Sequence, residues 1–482
     1  MSKPVKLSCL IRHEFDTDPE ITGLTADSRE VKVGYIFAAL PGFVTDGAKY
    51  IQQAEQAGAA AILGPIGTKA NIPLIEVVEP RLVLAQIAAK FHAGQPAFIA
   101  GITGTNGKTS IARFAQQLWN MLDLKAGSLG TLGAFADGYE YKLRHTTPDP
   151  VEIHQVLSTM ATFDISHLAM EVSSHGLAQY RADGVRFSSA AFTNITQDHL
   201  DFHDSFEDYL NAKLRLFTEL LPERGVAVVN VDGADASKVV SAIKQAGRRV
   251  FSVGLSGQDL KLIKSTPQPT GLTMKVQAGE LVFDLDMPLF GSFQAENALV
   301  AAGLIITSGY DAAEVLPLLE QLKGAPGRME LVAKRRFKKG DTGIYVDYAH
   351  TPDAIATALT AIRPHASGDV HIVFGAGGDR DKTKRPLMGK AALDHADHLI
   401  VTDDNPRSED AASIRAQILA TCPGAKEIGD RAEAIKASIA ALKAGDVLVI
   451  AGKGHELGQT VGTLTIPFDD AQEARKIVSE LG

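Results

Sequence analysis

A chain of 482 residues is too long for one compact domain and predicts about three. Its 45% hydrophobic and 22% charged residues are those of an ordinary globular protein, while a net charge of −9 speaks against a nucleic-acid binder, which needs a basic face. Two cysteines, Cys9 and Cys422, cannot build a disulfide framework, and no apolar run approaches the ~20 residues that span a bilayer, so a reducing compartment and no membrane insertion are expected.

The first stretch, "MSKPVKLSCLIRHEF", lacks the apolar core of a signal peptide, which adds to the expectation of a cytoplasmic protein. Residues 1–95 end in a helical pattern, "RLVLAQIAAKFHAG", and Gly94 and Pro96 mark a linker. The second domain, 96–325, alternates helical patterns with the short apolar runs "FIAGI", "SHLAMEV", "SAAFTNI" and "VAVVNV". Continuous apolar strands of this kind suit a parallel sheet covered on both faces. Gly324, Pro326 and Gly327 then break a helix, and 326–482 repeats the style with "IYVDYAH", "DVHIVFGAGG", "HLIVTDDN" and "DVLVIAGKG". The fold class is therefore α/β, with a central domain on a mainly parallel sheet and a second α/β domain after it. Ligands are expected at the carboxyl ends of these strands.

"GITGTNGKTS", 101–110, joins a strand to a helix. The usual phosphate loop has Gly, four residues, then Gly-Lys-Ser/Thr, and here Ile102 stands where the first glycine belongs. The context still favours a nucleotide, because backbone N–H groups at a helix start hold phosphate. Lys108 would meet the β/γ-phosphates and Thr109 would ligate Mg²⁺. "MEVSSHG" places Glu171, Ser173, Ser174 and His175 at one strand end, and "TNITQDHLDFH" places Asp198, His199, Asp201 and His203 at another. Carboxylate and imidazole together suit Mg²⁺ or Mn²⁺ better than zinc. In the amphipathic helix "SFEDYLNAKLRLFTELL", Lys213 falls in the apolar stripe. Periodicity alone favours a snorkelling side chain there; an active-site lysine is the alternative. Arg380 in "DRDKTKRP" and Arg407 in "DDNPRSED" each offer a planar fork for a carboxylate, though such runs are more often solvated loops.

Together these stretches resemble the Mur ligase family of peptidoglycan synthesis. The likeness rests on "TGTNGKTS", "TTPDP", "MEVSSHGL", "TNITQDHLDFH", "YLNAKLRLF", "PGRME", "VDYAHTPDA", "GGDRDKTKRPLM", "DNPR" and "GKGHE", in the family's order along essentially the whole chain. It is greatest to the branch that adds the third residue of the stem peptide. The family's loop is TGTNGK[TS], so the absent first glycine is a family trait. The resemblance implies three domains: a UDP-sugar-binding domain (1–95), a P-loop-type ATPase domain (96–325) and a Rossmann-like amino-acid-binding domain (326–482). It implies that ATP phosphorylates the D-Glu γ-carboxylate of UDP-MurNAc-L-Ala-D-Glu, and that an incoming amine displaces the phosphate.

Residue by residue, the resemblance implies the following. Lys108, His199 and Lys213 are catalytic. Gly104, Thr105, Asn106, Gly107, Lys108, Thr109 and Ser110 hold ATP, joined by Asn297 and Arg328, with Asp347 and His350 nearby. Thr109, Glu171, His199 and Lys213 hold Mg²⁺, two ions in all, with Lys213 carrying a carbamate from CO₂. Ser28 and the stretch Phe43 to Thr45 lie near the UDP group. Thr146, Thr147, Ser173, Gln179 and Arg181 hold the muramoyl dipeptide; His145 stands where the family often has Asn. Arg380, Asp404, Asn405, Pro406, Arg407, Gly452 and Glu456 form the amino-acid pocket, with Glu456 toward the distal ammonium. Arg in "DNPR" is similar to members that take meso-diaminopimelate, whose far carboxylate suits a planar fork. A monomer is expected. The alternatives are an L-lysine-adding ligase of the same family, a folylpolyglutamate synthase on the same fold, and a non-catalytic scaffold.

Overall fold

Apolar runs bounded by capping residues and glycines form the strands and helices of an α/β protein. The computed structural model describes residues 3–12, 17–42, 46–196, 202–233, 235–268, 271–338 and 340–481. The chain divides into two compact units: one comprises residues 1–253, 257–259 and 300–311, the other residues 254–256, 260–299 and 312–482.

Among the described residues the first unit holds a two-stranded sheet, Val5–Lys6 with Glu20–Ile21, and two larger sheets. Strands Gly23–Thr25, Tyr35–Ala38, Ala61–Pro65 and Leu74–Val77 pair in that order, all parallel. The helix Pro80–Phe91 packs Leu84, Ile87 and Phe91 into a core with Ile36, Leu63 and Ile75. The larger sheet has the strand order Ala126–Gly130, His167–Glu171, Phe98–Thr103, Ser189–Phe192, Val226–Asn230, Arg249–Gly254, all parallel. The hairpin Gly133–Ala136 and Tyr139–Tyr141 extends one edge antiparallel. Phe98–Thr103 thus lies between His167–Glu171 and Ser189–Phe192, and the chain crosses from one side of it to the other between those two strands. That is the position at which an open α/β sheet opens a crevice beyond its strand ends.

The second unit holds a six-stranded sheet, ordered Glu330–Arg335, Thr342–Asp347, Val447–Ala451, Val370–Phe374, His398–Val401, Lys426–Glu427, antiparallel only at the first pair. Side chains alternate across it. Ile372 and Phe374 face Leu359, Met388 and Ile418 on one side, and Val373 faces Ile435, Ile439 and Ile477 on the other. Helix starts are set chemically: Thr351 and Asp430 accept from Ala354 and Glu433 backbone N–H groups, and proline follows Thr351 at the first helical position. This unit also contains an antiparallel meander, Leu260–Gln268, Gly271–Ala278 and Leu281–Met287, and a hairpin, Gly458–Val461 with Leu464–Pro467.

Candidate active site

The turn after Phe98–Thr103 is shaped by two glycines and leads directly into a helix N-terminus. Gly107 caps the helix Lys108–Met121 in a left-handed conformation, φ 89°. At Gly104, φ is 142° and an added Cβ would lie 1.9 Å from Thr193 Oγ1, so only glycine fits. The end of Ser189–Phe192 holds the turn in place. Thr193 Oγ1 donates to Asn106 O (2.6 Å), Asn106 N donates to Asn194 Oδ1 (3.0 Å), and Thr105 N donates to Asn194 O (2.9 Å). Lys108 Nζ folds back onto the carbonyls of Gly104 and Thr105, both at 2.8 Å.

Glu171 stands beside the loop at the end of its own strand, buried. Its Oε2 accepts from Thr109 Oγ1 (3.0 Å) and Thr131 Oγ1 (3.1 Å), and its Oε1 accepts from Thr131 N (2.9 Å). Gly130 makes the approach feasible: a Cβ there would lie 2.0 Å from Oε1. Lys213 does not snorkel to solvent. It is 1% exposed, its Nζ donates to Gly104 O at 2.9 Å, and it lies 4.4 Å from the Tyr209 ring centroid. Periodicity placed it in the stripe correctly, but a carbonyl and a ring, rather than water, meet its charge.

A polar cluster adjoins Glu171. Thr147 Oγ1 donates to Glu171 O (3.1 Å) and accepts from Ser173 N (3.0 Å). Arg181 donates to Thr147 O and to Gln179 Oε1, both at 2.8 Å, and the hydroxyls of Thr146 and Thr131 are 3.0 Å apart. Thr146, Thr147, Ser173, Gln179 and Arg181 are therefore brought together. Ser28 lies elsewhere in this unit, its hydroxyl on Gln53 Oε1 at 3.3 Å.

The second unit has its own constellation at its strand ends. Arg407 has φ 52°; its N–H donates to Thr460 O (3.0 Å), its carbonyl accepts from Gly462 N (2.7 Å), and its Nη1 donates to Gly378 O (2.6 Å). Asn405 Nδ2 donates to Glu456 Oε2 at 2.8 Å. Gly452, φ 111°, brings its backbone close to Asp404: a Cβ would lie 2.6 Å from Asp404 Oδ2. Arg380 lies exposed on the loop that adjoins Pro406. Fully buried Arg431, bidentate to Asp470 at 2.7 Å, donates to the carbonyls of Asp403 (3.3 Å) and Ala451 (3.0 Å), next to Asp404 and Gly452. At another strand end, Arg328 stacks 4.4 Å over Tyr348. Asp347 accepts from Met329 N (2.7 Å) and Ala349 N (2.8 Å); burial pushes its carboxyl pKa up and Arg328 pulls it back. Asn297 is buried on the helix Phe293–Thr307, 3.1 Å from Gln294 Oε1.

Comparisons with known proteins agree along the chain. Residues 20–92 match the family described as Mur ligase family, catalytic domain; 102–305 match the Mur ligase middle domain; and 327–454 match the Mur ligase, glutamate ligase domain. A protein of Caulobacter vibrioides named UDP-N-acetylmuramoyl-L-alanyl-D-glutamate–2,6-diaminopimelate ligase is 50% identical over 476 residues, 97% of each chain. One of the same name from Agrobacterium fabrum is 46% identical over 462 residues, 96% of this chain and 94% of the relative. The chain belongs to the Mur ligase family. A solved structure of a ligase with that same name is similar over 99% of both chains, at 32% identity and a TM-score of 0.73. A folylpolyglutamate synthase from Mycobacterium tuberculosis with ADP bound shares the fold, with a TM-score of 0.63 at 18% identity.

The residues of this Mur ligase fit Mg²⁺. Among the described residues no three His, Cys, Asp or Glu side chains converge as a cage. Mg²⁺ rarely uses one; it takes one or two protein oxygens plus phosphates and water, and the Thr109 hydroxyl and Glu171 carboxylate supply such oxygens. His199, with Asp198 and Asp201, lies outside the described residues, as does the stretch 43–45. His175 and His203, considered as ligands from sequence, pack with Phe202 at ring-centroid distances of 4.1 and 4.9 Å. Sequence reasoning missed Thr131, Gly130 and Lys453. A signal existed for the first two: "GT" follows an apolar run in a sheet whose other strand ends carry motifs.

Proposed function

We propose that this Mur ligase is an ATP-dependent amide ligase that joins meso-diaminopimelate to the D-Glu γ-carboxylate of UDP-MurNAc-L-Ala-D-Glu. The observation that carries the reading is the Gly104–Lys108 turn, shaped by Gly104 and Gly107 at a helix N-terminus, with the Thr109–Glu171 bond beside it. The names of the relatives supply the substrates, and Arg407 in its pocket supports diaminopimelate. The matched family segments support the domain limits 1–95, 96–325 and 326–482.

In this mechanism a γ-carboxylate oxygen attacks the γ-phosphorus of ATP, and ADP leaves. The amine of diaminopimelate then attacks the acyl carbon, loses a proton, and phosphate leaves. Two anions must meet in the first step, so cations are required. Lys108 swings from its loop carbonyls to the phosphates, and the helix N-terminus that follows Gly107 stabilises developing charge. Mg²⁺, when bound, screens the phosphates. Thr109, Glu171, His199 and Lys213 are the residues proposed to hold it, and Asn297 and Arg328 are proposed nucleotide contacts. Thr146, Thr147, Ser173, Gln179 and Arg181 orient the dipeptide, and Ser28 the UDP end. Lys213 and Lys108 both donate to Gly104 O. Two ammonium groups at one carbonyl repel, which supports conversion of Lys213 to a carbamate by CO₂. A monomer in the cytoplasm is proposed; among the described residues no helix is long and apolar enough to cross a membrane.

The test is phosphate release from ATP in the presence of UDP-MurNAc-L-Ala-D-Glu, Mg²⁺ and bicarbonate, with meso-diaminopimelate and L-lysine in parallel. Release with diaminopimelate alone is expected. Release with lysine would overturn the specificity and keep the chemistry; release with neither would overturn the ligase.

A further inference from the structure

The "GKGHE" loop contains a lysine to which no role is attached. Lys453 is 0% exposed, and its Nζ donates to Gly458 O (2.5 Å), Glu456 Oε2 (3.2 Å) and Asn405 Oδ1 (3.3 Å). These acceptors lie on three segments about the proposed amino-acid pocket. Gly458 opens the hairpin Gly458–Val461 and Leu464–Pro467; Glu456 is the acid proposed for the distal ammonium; Asn405 lies in the turn that carries Arg407.

The hairpin in turn presents Arg407. Thr460 O accepts from Arg407 N at 3.0 Å, and Gly462 N donates to Arg407 O at 2.7 Å. Thr460 N donates to Asn405 Oδ1 (2.9 Å), the atom that Lys453 also reaches, and Gln459 Nε2 donates to Asp404 O (2.7 Å). The hairpin has no apolar anchor of its own: Val461, Leu464 and Ile466 are exposed. Its attachment is polar, and Lys453 fastens its first residue. Glu456 is fixed from the same point. Oε2 takes both Asn405 Nδ2 and Lys453 Nζ, and among the described residues Oε1 keeps its acceptor capacity.

A fully buried ammonium is costly, and a well-packed apolar side chain usually stabilises a fold as well or better. Retaining the charge at the junction of these three segments points to specificity. We infer that Lys453 is a positioning residue that sets Glu456 and, through the hairpin, Arg407 in register for an amino acid charged at its far end. This rests on the reading of the pocket under Proposed function.

The test uses the full-length K453M and K453Q variants, with each of the three substrates varied in turn. KM for meso-diaminopimelate is expected to rise about tenfold or more, and the preference in kcat/KM over L-lysine to fall about tenfold. KM for ATP and for UDP-MurNAc-L-Ala-D-Glu stays within about twofold. An unchanged amino-acid KM, or a common rise in all three, overturns the proposal. Amide hydrogen exchange supplies a readout free of turnover: faster exchange at Thr460 and Gly462, with the strand Val447–Ala451 unchanged, is expected, and unchanged exchange at both amides overturns it. If the wild-type enzyme turns over neither amino acid, the functional reading fails while exchange still decides the positioning role. Should K453M not fold, K453Q carries the same measurements, and loss of the folded state in both makes Lys453 a folding residue and overturns the proposal.

Discussion

Arg407 occupies a left-handed backbone conformation, φ 52°, that a long side chain adopts only where its surroundings enforce it. Two hairpin bonds and the Gly378 carbonyl provide that enforcement. The guanidinium is thus preorganised, and little of its freedom is left to lose when a carboxylate arrives. Arg407→Ala is expected to reduce the preference for diaminopimelate over lysine by about tenfold or more, because on the proposed reading the far carboxylate loses its guanidinium partner. Parallel kcat/KM measurements check this, and an unchanged ratio would falsify the Arg407 reading. Gly130 works by absence of a side chain. Gly130→Ala places a methyl 2.0 Å from Glu171 Oε1, so the carboxylate must move away from Thr109 and Thr131. A fall in kcat of about tenfold or more is expected, with an unchanged circular dichroism spectrum. Full activity would mean that the position of Glu171 is immaterial.

At the scale of elements, the helix Pro150–Thr162 carries a pH-sensitive group. His154 is buried, its Nε2 is 3.2 Å from Asp183 O, and its Nδ1 has no partner among the described residues. Burial pulls its pKa from 6.5 down to about 4. The unfolded chain therefore takes a proton first as pH falls. The stability held by neutral His154 is complete above pH ~6.5 and is lost progressively down to about pH 4, on the order of 3 kcal/mol. His154→Leu is expected to flatten that part of the profile, read as the difference in urea midpoints between wild type and variant from pH 7 to 4. Parallel slopes would refute it. The helices and buried strands were legible in the sequence, because continuous apolar runs and capping residues signal them locally. The meander Leu260–Met287 and the two hairpins were not: their strands are half-exposed, as in "LVFDLDM", where only Leu285 and Met287 are buried. Lys213 shows the same limit at the site. The stripe was visible, but the carbonyl that receives its ammonium lies 109 residues away.

At the scale of the molecule, each unit has cores of its own. One unit packs Leu157, Leu168, Phe192 and Val229 about its parallel sheet; the other packs two separate clusters against opposite faces of its six strands. The alternation that divides Ile372 and Phe374 from Val373 explains why both clusters depend on one sheet. Chains built this way seldom unfold in one step, because cooperativity follows shared apolar burial. Calorimetry is expected to give a total enthalpy larger than the van't Hoff enthalpy of its transition. Ile435→Ala removes a fully buried side chain from the cluster containing Ile439, Leu448 and Ile477. The cost is about 2–5 kcal/mol, a shift of several degrees for a unit of roughly this size. The shift should fall on one transition, while the other, that of the unit containing the Gly104–Lys108 loop, keeps its midpoint. A uniform displacement of the whole endotherm would show instead that the two units unfold as one.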